Sequence, residues 1–391
     1  MTSERWTKRA AATIAVVASV SGAALAAPHM SRGALPQESD VAIERVVDGL
    51  VHPWGLTWLP DDTILVTERP GRLRVIERER LDPEPVRGVP DVFTGGQGGL
   101  LDVAVHPDFE DNRLVYLSYT VGDRQANRTR VGRGALRDGE LRDFEVIFEN
   151  SETKSGGQHF GSRLAWLPDG TLLISVGDGG NPPVSFEGEE IRQQAQMLGT
   201  HFGKVVRVRD DGSVPSDNPF ADRDNARPEI WTLGHRNIQG LVVDPETGDV
   251  WSNEHGALNG DEINKLERGE NYGWPAVTFS RNYRTGTLIS DDVEGPEFNE
   301  PELVWMDNNA PSGLTIYRGD VFPNWDGDLL SGGLIVREVR RVDLDGSGRV
   351  RGETRIDIGA RVRDVRVGPD GAVYVLTDER NGRLLRLTRE K

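Results

Sequence analysis

Only 7 histidines occur in 391 residues, and one of them, His159, stands in GGQHFGSR just ahead of the strand-like run LAWLPDGTLLISVGD. An imidazole titrates near neutral pH, which suits it to take a proton from a hydroxyl. Read alone, a histidine between glycines and an arginine is more plainly a loop residue beside a tight turn. It has company in comparable places: Gln97 in TGGQGGLLD, Asp178 in SVGDGGN, Arg236 and Asn237 in TLGHRNIQG, His255 in NEHGALNGDEIN, and Arg361 with Arg363 in ARVRDV. Singly these read as a turn-forming Asp, a surface ion-pair partner and a solvated charge pair. Together they supply a base, a carboxylate and three guanidinium groups. Guanidinium forks match carboxylates with paired hydrogen bonds, so the set points to a local anion site in an acidic chain.

Residues so far apart need a scaffold that gathers them, and a weak repeat supplies one. WGLTWLPDDTILVTER, GGLLDVAVHPDFEDNRLVYLSY, GSRLAWLPDGTLLISVGD, QGLVVDPETGDVWSNEHG and VRDVRVGPDGAVYVLTDE share a design, and SGLTIYRGDVFPNWDGDLLSGGL is a looser sixth copy. In each, alternating apolar residues flank a Pro/Asp/Gly turn, the pattern of an antiparallel hairpin. Six such hairpins predict an all-β, six-bladed β-propeller over residues 41–391. A β-sandwich or two smaller β domains is the competing architecture, but no Pro/Ser-rich linker divides residues 40–391. The stretch EEIRQQAQMLG (189–199) is the one plausible short helix. In a propeller, loops from all blades converge at one end of a central channel, so scattered polar residues become neighbours.

Composition narrows the setting. Arg5, Lys8 and Arg9 precede an apolar run that ends in Ala24-Leu25-Ala26, so residues 1–26 are expected to be a Sec-type signal peptide. Residues 27–40 are expected to be a flexible mature N-terminus, and the protein to be periplasmic or secreted, with no stable membrane span. There is no cysteine, so an exported fold must be held by its core and by metal rather than by disulfides. A formal net charge of −17 argues against nucleic acid as a partner.

GQGGLLDVAVHPDF, QHFGSRLAWLPDG, GTHFGKVVRV, TLGHRNIQGL, HGALNGDEIN, GENYGWP and RVRDVRVGPDG occur in this order. Across about residues 40–391 the chain resembles the soluble, PQQ-dependent aldose (glucose/sorbosone) dehydrogenase family. The resemblance implies a six-bladed propeller that oxidises the anomeric carbon of an aldose to the lactone, passing hydride to the C5 carbonyl carbon of PQQ. It puts His159 on the general base and Arg236 beside the quinone oxygens, with Asn237 adding a donor there. Arg361 and Arg363 fall on arginines that hold cofactor carboxylates, and Gln97 and Asp178 on further pocket contacts. His255 stands where some members have Gln. Two Ca²⁺ sites are implied, one at the main-chain carbonyls of Gly256 and Ala257, the other at Glu262 and Tyr272; oxygen ligands suit this hard cation. The electron acceptor is left unidentified.

One departure stands out. The family places a lysine against PQQ where GGLIVREVRR here offers Ile335, and strand alternation would let Arg337 reach inward in its place. Two alternatives follow: a calcium-dependent propeller lactonase in which His159 activates water, and a binding module that has lost its cofactor. A neutral lactone gives three arginines nothing to bind, whereas a tricarboxylate does.

Overall fold

The computed structural model describes residues 27–390. Six four-stranded antiparallel sheets make up the body, and each begins with its innermost strand. Blade 1 is Pro53–Trp58, Ile64–Glu68, Arg72–Glu77 and Arg80–Leu81; blade 2 is Leu100–Val105, Leu114–Gly122, Asn127–Arg137 and Glu140–Glu149. Blade 3 is Leu164–Trp166, Leu172–Val176, Lys204–Val208 and Ile230–Leu233; blade 4 is Ile238–Val243, Val250–Glu254, Asp261–Leu266 and Leu303–Trp305. Blade 5 is Pro311–Ile316, Leu329–Gly333, Glu338–Leu344 and Val350–Asp357; blade 6 is Val362–Val367, Val373–Thr377, Gly382–Arg389 and, outermost, Val41–Leu50. Each inner strand contacts the next, and Val362–Val367 returns to Pro53–Trp58. The ring is closed, and the fold is the six-bladed propeller expected from the repeat.

All six hairpins read from the sequence are the two inner strands of a blade. Two of the second strands, Ile64–Glu68 and Leu172–Val176, are buried at every residue. The reason is that both faces of a blade pack on neighbours. Leu65 and Leu73 of blade 1 meet Leu100, Val103 and Leu117 of blade 2, and Leu376 and Leu384 of blade 6 meet Leu56 and Val66 of blade 1. Such a face leaves water only when the adjacent blade is in place, so the hydrophobic stabilisation belongs to the interfaces.

Closure joins the two ends of the chain, with Val41 opposite Arg389 in an antiparallel ladder. The stretch before it, expected to be flexible, is tied down instead. His29–Ser31 adds a parallel strand to Leu303–Trp305, and Glu38 accepts hydrogen bonds from Arg341 (2.5 Å) and Thr354 (2.6 Å). Open sheet edges offer unpaired main-chain groups, and this segment finds its partners there. Residues 1–26, where the leader is expected, lie outside the described residues.

Two features aim the site. In five of the six inner strands the ladder register slips near the start, for example between Ser312 and Leu314 and between Val362 and Asp364. A bulge re-aims side chains at a strand end. At Gly313 (φ 69°) an added Cβ would lie 2.6 Å from the amide of Val365, so only glycine fits between blades 5 and 6. Blade 3 carries a long insertion, second to the one in blade 4 between Leu266 and Leu303: a small hairpin (Ser185–Phe186, Glu189–Glu190) and a 3-10 helix, Ile191–Gln196, inside the stretch read as helical. A second short helix, Phe109–Asn112, was not expected.

Candidate functional site

The channel is plugged by charge. Arg163, 1% exposed at its side chain, donates from Nε to the Gln239 carbonyl (2.6 Å) and from Nη2 to the Arg363 carbonyl (3.2 Å). Its Nη1 lies 3.4 Å from Asp102 and 3.0 Å from Asp364, and the guanidinium covers the Trp54 ring at 4.1 Å.

Against this plug stands the loop that carries His159. The residue is buried and holds a left-handed φ of 49°, a strained conformation of the kind found at functional sites. Gly161 makes the loop possible: it has φ 63°, and a Cβ there would sit 2.8 Å from Gly177 N and Ser175 O. The glycine before it, Gly157, gives room not to a cofactor but to the neighbouring loop, where a Cβ would meet the Gly95 carbonyl at 2.6 Å. Across that contact Gln97 donates its N–H to Gly157 O (2.7 Å) and accepts from the His159 amide at its side-chain oxygen (2.7 Å).

His159 Nδ1 lies 2.6 Å from Asp178 Oδ1. Asp178 also accepts from Trp274 Nε1 (2.9 Å) and Gly180 N (3.1 Å). Burial opposes its charge, but His159 and Arg236 hold its carboxyl below the usual range. Burial, then the charge of Arg236, lowers the pKa of His159, with Asp178 opposing. An ionised Asp178 therefore faces a neutral imidazole, so Nδ1 carries the proton and Nε2, with no partner among the described residues, keeps its lone pair.

Arg236 is fixed beside this pair. Its amide donates to Glu254 (2.6 Å), its Nη1 to the His255 carbonyl (3.0 Å), and its guanidinium lies 5.3 Å from the Trp274 ring centroid. Burial, then Arg236 and His159, presses His255 down to about 3, so it is neutral and donates from Nε2 to Pro311 O (2.8 Å).

Arg361 and Arg363 both reach Asp378 Oδ2, at 3.3 and 2.9 Å. Burial works against Asp378, yet Arg363 and Arg361 hold its carboxyl well below the usual range. Arg363 is also 3.3 Å from both Gln239 Oε1 and Ser312 Oγ, while Gln239 Nε2 is 3.4 Å from Asn237 Oδ1. That chain links blade 6 to Asn237, which accepts from Gly161 N at 3.2 Å. Arg363 is buried; Arg361 keeps 44% of its side chain exposed. Asn237 Nδ2 and Arg363 Nε are buried donors with no acceptor, a state that costs about 1–3 kcal/mol for each group unless a ligand relieves it.

Of the expected metal positions, Gly256, Glu262 and Tyr272 line one small cavity, while Ala257 lines a larger one beside Arg236. Neither the Gly256 nor the Ala257 carbonyl accepts a hydrogen bond among the described residues. Asp261 braces their loop, accepting from Gly256 N (2.8 Å), Asn309 N (3.1 Å) and Ala310 N (2.8 Å), with its carboxyl pushed up to about 6 by burial. Glu262 and Tyr272 line one small cavity with Glu254. Burial, then Glu254, raises Glu262 well above the usual carboxylate range, a repulsion that a cation would remove. The Tyr272 hydroxyl is spent on Lys265 O (2.8 Å), so only its carbonyl is free to ligate. No group of three or more His, Cys, Asp or Glu side chains converges as a metal site among the described residues. A cation here would depend on main-chain oxygens.

Ile335 and Arg337 do not alternate on a strand. Both lie in the turn between Leu329–Gly333 and Glu338–Leu344, where Ile335 is 50% exposed and Arg337 is exposed with φ 61°. Arg337 therefore does not replace the missing lysine. Four contributors went unread: Trp274 in GENYGWP, Asp378 closing the last repeat, Glu254, and Lys154. Lys154 is 5% exposed, its Nζ has no hydrogen-bond partner, and it covers the Phe160 ring at 4.0 Å. Burial lowers it to about 7, with Asp178 opposing.

Comparison with known proteins places the fold in a family. A sequence profile for Glucose / Sorbosone dehydrogenase matches residues 50–386. Aldose sugar dehydrogenase YliI of Escherichia coli (strain K12) is 42% identical over 358 residues, 89% of this chain and 93% of that protein. The apo-form structure of the soluble aldose sugar dehydrogenase (Asd) from Escherichia coli superposes with a TM-score of 0.84 at 40% identity, covering 90% of this chain and 100% of that one. The PQQ-bound aldose sugar dehydrogenase of Streptomyces coelicolor gives a TM-score of 0.72 at 25% identity over 91% of this chain and 100% of that one.

Proposed function

The chain belongs to the glucose/sorbosone dehydrogenase family, and on that footing we propose that it oxidises aldoses at the anomeric carbon, with PQQ as oxidant and His159 as general base. The observation that carries the reading is the His159–Asp178 pair at 2.6 Å, with Nε2 uncommitted and the charge of Arg236 acting on the imidazole. The free donors of Asn237 and Arg363 fit a cofactor rich in carboxylate and carbonyl oxygens, and the free carbonyls of Gly256 and Ala257 fit Ca²⁺. When bound, PQQ supplies the electrophilic carbonyl that takes up the hydride.

The protein's own part is positioning and proton transfer. His159 Nε2 takes the proton of the anomeric hydroxyl, and the new imidazolium is stabilised by ionised Asp178 through Nδ1–H. Trp274 and Gly180 keep that carboxylate aimed. Arg236, clamped by the His255 carbonyl, places fixed positive charge where negative charge develops, which needs no reorganisation during reaction. Arg361 and Arg363 would hold cofactor carboxylate, with Asp378 keeping both guanidinium groups in place.

The lactonase and binding-module alternatives lose ground, because Aldose sugar dehydrogenase YliI and the apo-form structure of Asd, 42% and 40% identical across about nine tenths of this chain, are sugar dehydrogenases by name. Export by the leader, with action in the periplasm, is part of the proposal; no helix among the described residues is long and apolar enough to cross a membrane. Protein reconstituted with PQQ and Ca²⁺ is expected to reduce an artificial acceptor when given an aldose, and lack of saturable PQQ binding would sink the reading. Because burial and Arg236 lower His159, the acid limb of kcat/KM is expected below the ordinary histidine range of about 6.5. A limb at or above that value would remove His159 as the base.

A further inference from the structure

Beside Arg236 the site opens into a cavity of about 660 Å³ that the proton transfer does not use. Three guanidinium groups line it, those of Arg192, Arg236 and Arg284, and no carboxylate does. The chain as a whole has 63 acidic and 46 basic residues, so this wall reverses the sign of the molecule. The Arg236 guanidinium donates to a carbonyl and not to an acid, and Arg284, at the exposed rim, has no ion-pair partner among the described residues. Arg192 is 9% exposed; its Nε lies 2.8 Å from Glu190, a carboxylate largely in water, but off the line a hydrogen bond requires, and that nitrogen is left unsatisfied.

The rest of the wall suits a sugar. Asn181 and Asn282 offer neutral donors and acceptors to hydroxyls, and Trp274 and Tyr283 offer flat apolar faces to a ring. A neutral hexose would use these groups and Arg236, and leave the guanidinium groups of Arg192 and Arg284 idle. In an acidic protein such a patch also serves as a local attractor for anions.

We propose that this cavity receives an aldose with its own negative charge, a carboxylate or a phosphate remote from the anomeric carbon. The inference rests on the sugar-oxidising reading above. The charged group is a spectator: the anomeric C–H leaves as hydride to the cofactor and the O–H proton goes to His159, as for a neutral sugar.

The test uses holoenzyme loaded with PQQ and Ca²⁺ and compares kcat/KM for D-glucose, D-glucuronate and D-glucose 6-phosphate. An anionic sugar is expected to exceed glucose by about fivefold or more, mainly through KM. The advantage should shrink in about 0.5 M salt, since Arg284 is exposed. Which anionic sugar gains distinguishes carboxylate from phosphate. Arg192→Met and, at the rim where folding is not at stake, Arg284→Met should each lower the anionic sugar's advantage over glucose while the PQQ titration curve stays in place. If glucose is oxidised as well as both anionic sugars, the proposal is overturned and the sugar-oxidising reading stands. If PQQ affinity falls in both variants, the arginines belong to the cofactor and the proposal fails. If no sugar is oxidised, both fall together.

Discussion

Two adjoining clusters of buried charge occupy the channel, and they follow opposite rules. In the plug, each guanidinium nitrogen of Arg163 meets an oxygen from Gln239, Arg363, Asp102 or Asp364. In the neighbouring site, His159 Nε2, Asn237 Nδ2 and Arg363 Nε meet nothing among the described residues. Gln239 serves both, its carbonyl to Arg163 and its side chain to Arg363 and Asn237. Satisfied charge holds inner strands from several blades together. Unsatisfied polarity, costly in an empty fold, is tolerable where a ligand completes it. The contrast is one of donors, since Asp364 Oδ1 in the plug also lacks a hydrogen bond although Arg163 lies 3.0 Å away.

The comparison breaks first at Arg163. Arg163→Met leaves Asp102 and Asp364 with Arg366 alone, at 3.5 and 3.2 Å, and is expected to cost about 3 kcal/mol in denaturant unfolding, the low end for a broken buried pair. His159→Gln should cost much less stability and leave PQQ binding intact, yet lower turnover on the order of 10²–10⁴-fold. Comparable stability losses from the two changes would mean that the dyad is scaffold as well.

A smaller effect is expected at Lys154, the one buried ammonium beside the dyad. The folded protein gives up this proton near pH 7, the unfolded chain near 10.5. Between those values the unfolded state binds more protons, so folding stability rises with pH there; below about pH 7 the cost of burying the charge is in full force. Lys154→Met should raise the free energy of unfolding at acid pH by an amount on the order of a few kcal/mol, a gain that fades as pH climbs toward 10.5. A pH-independent change would show that the ammonium is not isolated. The smallest effect belongs to Ile335→Lys, next to the Leu334 carbonyl that accepts from Arg361. On an exposed turn the new cation should tighten PQQ binding by about fivefold at low salt, and the gain should vanish at high salt.

The hairpins were legible because Val, Leu and Ile alternate about Pro/Asp/Gly turns, a pattern each chain segment carries by itself. The outer strands, shorter or wetter, lack it; Arg80–Leu81 is a two-residue strand that no periodicity could show. Candidate residues were legible where polar groups stood beside glycine at strand ends. Their partners were not. Asp378 unites Arg361 and Arg363, and Trp274 steadies Asp178, through contacts that exist only after blades have assembled. Arg337 failed for a local reason: alternation ends where the strand does, at Gly333.

The strand Val41–Leu50 has a temporal meaning. Its partner, Gly382–Arg389, is the last strand to be synthesised, so blade 6 pairs the earliest and latest made parts of the ring. Few contacts span more of a chain, and forming them requires closing nearly the largest loop the polypeptide allows. A nascent chain could assemble blades 1 to 5 and still leave the apolar faces of blades 1 and 5 exposed until its final residues arrive. The ring thus closes only once its last strand has been made, and a chain stopping before Gly382 would leave an open, aggregation-prone arc.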